Sequence, residues 1–252
     1  MTQQRGTGDR APLSRQRVLR AAVALADETG AEAFSMRRLA QELGVVPMAL
    51  YKHVANKEEL LDGMVDLVVG DIAPPAPGAP WKTAVREQVL SARRVLLHHR
   101  WAARVIESRT APTPAVLGHL DSVIGTFRDG GLSADLTHHA MHALGSRLLG
   151  FSRELFTNGE AEQGPAAPGS DKPDSTEPVS IAHESADPGR AARMAEAYPR
   201  VAEIAAAAAH DPDSAVGGGC DDQFEFEFAL DLLLDGIERL HGQGWTSART
   251  TP

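Results

Sequence analysis

At 252 residues the chain is long enough for one large domain or two smaller ones. A net charge of −9 argues against a general nucleic-acid binder, yet residues 1–57 hold nine Lys and Arg against five Asp and Glu, so the basic end could approach phosphate while an acidic remainder discourages non-specific adhesion. The single cysteine, Cys220, excludes an intrachain disulfide and fits a reducing cytoplasm, and no apolar run is long enough to cross a bilayer.

Residues 1–13 are polar, carry no signal-type apolar segment and are expected to form a disordered arm with Arg5 and Arg10. Ser14 then suits the N-cap of a helix that places Val18, Ala22, Leu25 and Ala26 on one side and stops at Gly30. Ser35 caps a second helix with Leu39, Ala40 and Leu43 inward. Gly44 follows at the position where a left-handed residue ends a helix. Pro47 suits the first turn of a third helix, which carries Leu50 and Val54 inward. Met48, Ala49, Tyr51, Lys52 and His53 are left facing outward, as on a helix that reads DNA.

Asn56 caps a fourth helix with Glu58 and Glu59 in its first turn and Leu60, Leu61, Met64, Val65 and Val68 as its stripe. It should end near Gly70, before the stiff linker APPAPGAP. A long helix is expected over 81–99 and a short continuation over 101–107. Pro112 and Pro114 break the chain, and helices over 115–129 and 133–158 flank Gly130-Gly131. Two stretches, 160–189 and 211–221, are poor in large apolar residues and are expected to be flexible. The last helix, 222–240, has one stripe of Phe226, Leu230, Leu233, Ile237 and Leu240. Phe224, Phe228 and Leu232 lie nearly opposite, so it should be buried on two sides, one of them by a second subunit. No strand-like alternation occurs, and the fold class expected is all-α.

Catalytic and metal-binding patterns are weak. His138 and His142 stand i, i+4, a spacing that can hold a metal, but no Cys, Asp or Glu completes the set and HExxH is absent. The expectation is no enzyme activity, no metal and no cofactor. The histidines are read as lining a polar cavity or an interface.

The run from Ser14 to Leu61 resembles the N-terminal domain of the tetracycline-repressor (TetR) family of bacterial transcription regulators. It does so through the helix ending at Gly30, FSMRRLAQELGV and ALYKHVANKEELL. WKTAVREQVLSARRVLLHHR and FEFEFALDLLLDGIERL are similar to regulatory-domain segments of the branch close to the tetracycline repressors. The resemblance implies a helix-turn-helix DNA-binding domain over 14–60 and a helical ligand-binding and dimerisation domain over 61–252. It implies a repressor, released from a palindromic operator by a small molecule. Arg37, Pro47, Met48 and Ala49 match base-facing positions, with a phosphate role also open to Arg37. Tyr51, His53 and Lys57 match phosphate-contacting ones, and Lys52 replaces an aromatic usual in close relatives. Segments 144–156 and 224–240 match helices that form a four-helix dimer bundle, which makes Leu148, Phe224, Phe228 and Leu232 the expected interface.

Aligned without gaps, Gln88 and Ala92 fall where the family binds its drug. Ile106 falls where tetracycline repressors hold magnesium with a histidine. An isoleucine offers no lone pair to a hard cation, so the expected effector is not magnesium–tetracycline. Gln88, Ala92, Ile106, His139 and His142 are the expected pocket lining. The other reading is a DNA-binding adaptor governed by a protein partner docked on the proline-rich loop, with no ligand.

Overall fold

The computed structural model describes residues 12–30, 33–150, 196–200, 202–203 and 222–247. Among them the regular secondary structure is helical, with no strand. The arm up to residue 11, the expected flexible stretches 160–189 and 211–221, Cys220, and the end of the helix expected to reach 158 lie outside the described residues.

The helices begin and end where local chemistry dictates. α1 (Arg15–Thr29) starts at Ser14, whose hydroxyl accepts from the Arg17 amide at 3.2 Å. α2 (Met36–Leu43) starts at Ser35, which accepts from the Arg38 amide in the same way. Gly44 takes φ 66°, ψ 35°, the left-handed conformation that glycine adopts without a Cβ penalty. The Val45 amide then bonds the Ala40 carbonyl at 2.9 Å, which reverses the chain tightly. α3 is regular only over Pro47–Leu50, shorter than the sequence suggests. It continues to Val54 as a hydrogen-bonded turn, with the His53 and Val54 amides both on the Leu50 carbonyl. α4 (Lys57–Gly70) is capped reciprocally: Asn56 accepts from the Glu59 amide at 2.8 Å, and the Glu59 carboxylate accepts from the Ala55 amide at 2.6 Å.

α5 (Trp81–His98) and α6 (Arg100–Ser108) are separated by His99, which leaves helical geometry at φ −110°, ψ 68°. The Asp27 carboxylate binds this break from α1. One oxygen accepts from Trp101 Nε1 at 2.7 Å and lies 2.8 Å from His99 Nδ1. α7 (Pro114–Asp129) and α8 (Ala134–Gly150) follow, and α9 (Asp222–Gly242) is the last described helix.

The first compact unit comprises residues 1–149 and 232–252, and the second comprises 150–231. In the first, one apolar cluster joins Val18, Leu19 and Leu25 of α1, Leu39 of α2, Leu50, Val54, and Leu60, Met64 and Val68 of α4. Trp101, Ala102 and Val105 of α6 belong to the same cluster. The three-helix head therefore shares its core with α6. Lys82 at the start of α5 pairs with Asp235 and Glu238 of α9, each at 2.6 Å, and both carboxylates raise its pKa. Within the second unit, Phe224 and Phe228 stack with ring centroids 6.4 Å apart.

The buried residues of α9 are Phe226, Leu230, Leu234 and Ile237, so Leu234 takes the place expected for Leu233. Steps of four, four and three keep a single face at 3.6 residues per turn.

Gly130, at the end of α7, lies so close to Trp81 that an added Cβ would come within 2.5 Å of the tryptophan Cβ. That atom sits beside the backbone and cannot swing away. Gly130→Ala should therefore destabilise the protein by about 1–3 kcal/mol through overpacking. Gly118→Ala, in the middle of α7 with nothing within 4 Å, should be neutral or stabilising by up to about 1 kcal/mol. Thermal unfolding followed by circular dichroism checks both.

Candidate nucleic-acid interface and interhelical groove

The turn from Val46 to Lys52 presents an unusual surface. Val46, Met48 and Tyr51 are 68%, 71% and 44% exposed. They surround a shallow hollow of about 300 Å³ with Ala49 and Lys52. Leu50 and Val54 are buried beneath and hold the turn to α1 and α2. Pro47, Lys52, Lys57 and Arg37 are exposed, and Ala49 and His53 are half-buried. Of the expected DNA-facing residues the structure thus leaves Arg37, Pro47, Met48, Tyr51, Lys52 and Lys57 exposed, and Ala49 and His53 only in part. It adds Val46, which the sequence reading missed. The available signal was its place just before Pro47, where the N-cap side chain points away from the core.

An exposed apolar surface bordered by Lys52 suits the major groove, where thymine methyl groups offer apolar contacts and phosphates line the edges.

Behind this head, α4 is gripped along one side. Glu58, Asp62 and Asp66 stand four residues apart and share a face. Arg109, just after α6, binds Glu58 and donates to Asp62 at 2.9 Å. The hydrogen bonds to Asp62 and Glu58 raise the guanidinium pKa further. Asp66 accepts from the Ala115 amide at the start of α7 at 3.0 Å. Three carboxylates therefore tie α4 to the α6–α7 junction.

A groove of about 550 Å³ runs between α7 and α8. Its described lining is Leu120, Ile124 and Arg128 from α7 and Ala134, Thr137, His138, Met141 and His142 from α8. Of the five pocket residues expected from sequence, only His142 lines it. Gln88 is 1% exposed and faces α7, its amide nitrogen donating to Ser122 at 2.9 Å and its oxygen accepting from Thr126 at 3.2 Å. Ala92 is buried, and Ile106 packs against the apolar cluster of the head. His139 turns toward Asp135 and the Trp245 ring. Asp135 in turn accepts from the amide and hydroxyl of Ser247 at 2.5 and 2.7 Å, which lowers its pKa.

The α7 residues Leu117, Leu120 and Ile124 are exposed beside a buried Val123 and Phe127. This second apolar stripe was visible in the sequence by its three- and four-residue spacing and was not singled out.

Of the expected interface residues, Phe224, Phe228 and Leu232 are all more than half exposed, and Leu148 is half-buried. Among the described residues no group of three or more His, Cys, Asp or Glu could hold a metal ion. No described helix is long and apolar enough to cross a membrane.

Residues 18–64 match the model of bacterial regulatory proteins of the tetR family, and residues 74–241 match that of the tetracyclin repressor-like C-terminal domain. The chain is 32% identical over 158 residues to the HTH-type transcriptional repressor DrrR1 of Streptomyces coeruleorubidus, covering 62% of this chain and 58% of that protein. It is 32% identical over 167 residues to the class D tetracycline repressor protein of Escherichia coli, covering 65% of this chain and 76% of that one. Among solved structures, ActR from Streptomyces coelicolor in complex with actinorhodin is similar at a TM-score of 0.63 and 26% identity. That match covers 92% of this chain and 100% of the other.

Proposed function

Because the chain belongs to the tetracycline-repressor family, we propose that it is a dimeric transcriptional repressor that leaves a palindromic operator when a small molecule binds its helical body. The observation that carries this reading is the exposed turn Val46–Lys52, an apolar surface bordered by Lys52. Such a surface has no role inside the chain and matches what a major groove offers.

Pro47, Met48 and Ala49 face bases, Arg37 reads a base or a phosphate at the edge, and Tyr51, His53 and Lys57 hold phosphates. Dimerisation pairs the exposed α9 face of Phe224, Phe228 and Leu232, with Leu148 of α8, against the same face of a second copy. An isologous contact of this kind gives two-fold symmetry, and the operator inherits it. Half-site centres then lie at least roughly 34–36 Å apart, one turn of the duplex.

The effector occupies the helical body, and the α7–α8 groove is its best-supported seat. Ligand there would shift α7, and Asp66 and Arg109 would pass the shift to α4 and the reading head. The effector needs only a few kcal/mol of preference for the released state. It is not a magnesium–tetracycline chelate. Ile106 has no lone pair for a metal and packs into the head cluster, and no carboxylate is among the described groove residues. The sequence alternative, an adaptor with a protein partner and no ligand, loses ground to a groove whose volume falls in the range of small-molecule sites.

Selection from random-sequence duplexes tests the DNA reading, and a palindromic consensus is expected. Lys57→Ala should weaken binding evenly across sequences and reduce the salt slope by about 1, while Met48→Ala should change the preferred bases. A changed preference in Lys57→Ala with an unchanged salt slope would refute the phosphate role.

Light scattering tests the dimer. Wild type should give twice the chain mass, and Phe228→Asp with Leu232→Asp should give the chain mass, because unpaired charge at a buried seam costs several kcal/mol or about that. Both positions are exposed on the single chain, so the variant is expected to stay folded.

A further inference from the structure

We propose that the α7–α8 groove selects an organic anion with a flat apolar body, its acidic group beside Arg128 and its rings over Ile124, Leu120 and Met141. This rests on the reading of the chain as a small-molecule-responsive regulator and names the chemistry of the molecule.

The groove is asymmetric along its length. α7 and α8 are joined by the short turn at 130–133, and Arg128 and Ala134 are the lining residues next to that turn. Ile124, Thr137 and His138 come next, and Leu120, Met141 and His142 lie farther along. The turn end carries the fixed positive charge. Arg128 donates one Nη1 bond to the Leu132 carbonyl, which anchors the side chain to the turn. A guanidinium has five donors in a planar fork, so the anchored group still offers a fork suited to a carboxylate, sulfonate or phenolate.

Farther along, the walls are apolar. Leu120 and Ile124 are 38% and 39% exposed, which leaves side-chain surface that a ring system would cover. His138 and His142 stand edge to face, with ring centroids 4.6 Å apart, and add an aromatic border.

Thr137, also among the lining residues, is 3% exposed, and its hydroxyl is buried without a hydrogen-bond partner. No acidic side chain is among the described lining residues. The acidic residue in the first turn of α8, Asp135, is engaged by Ser247 and His139 instead.

The test uses two fluorescent probes with the same rings on the full chain: 8-anilinonaphthalene-1-sulfonate and N-phenyl-1-naphthylamine, which lacks the sulfonate. The sulfonate is expected to bind about tenfold more tightly or better. Arg128→Gln should remove most of that preference while changing the neutral probe less than about twofold. Because Arg128 also anchors the turn, Ala134→Glu, at the exposed turn end of the groove, gives a second reading. It places a carboxylate near the anion's seat and should weaken the sulfonate while retaining the neutral probe. Equal affinities for the two probes in wild type, or a sulfonate preference that survives both Arg128→Gln and Ala134→Glu, would overturn the proposal. Operator binding is not read here. Should the probes discriminate as expected while no small molecule releases DNA, the groove chemistry stands and the regulatory reading falls.

Discussion

The reading head meets the helical body at α4 and where Asp27 of α1 binds the α5–α6 break, and α4 is held by a ladder of carboxylates. Glu58 and Asp62 meet Arg109 after α6, and Asp66 accepts from the Ala115 amide in the first turn of α7. On its other side α4 lies so close to α1 that a Cβ on Gly63 would come within 2.7 Å of Leu19. The helix is thus fixed at once to the head and to the body. The carboxylates of Glu58 and Asp62 are about half exposed or more, and such pairs contribute under about 1 kcal/mol each. They orient α4 more than they stabilise the chain. A joint of that strength can be moved by a coupling energy of about 1–3 kcal/mol, the ordinary scale of allosteric effects.

The same hydrophobic accounting explains three surfaces that look uneconomical on one chain. The turn at Val46–Tyr51, the α7 stripe of Leu117, Leu120 and Ile124, and the α9 stripe of Phe224, Phe228 and Leu232 all leave large apolar side chains in water. Exposed apolar patches of this kind mark contacts with something else. Their borders separate their proposed roles: Lys52 borders the first, Arg128 and two histidines border the second, and the third carries its own stacked aromatic pair.

The head was legible in the sequence because its signals are local. A cap serine or asparagine, a left-handed Gly44 and Pro47 at a helix start act within a few residues, and the structure places each as expected. The two-faced α9 was legible by periodicity, with the inner face one residue off at Leu234 because four-residue steps slip against the helical repeat. The groove was not legible. Whether Gln88 faces a ligand or its own chain depends on Ser122 and Thr126, more than thirty positions away. Ile106 and Ala92 were placed by an ungapped match, which carries no information on which helix face meets the head cluster. The orphaned Thr137 hydroxyl is a tertiary property with no local signature.

Amide hydrogen exchange of the full chain tests the central claim, that the carboxylate ladder fastens α4 to the body. Wild type is compared with Arg109→Gln, which keeps a polar side chain and removes the charge. The account predicts faster exchange across residues 57–70 in the variant, with α9 unchanged. Equal protection of α4 in both proteins would contradict it.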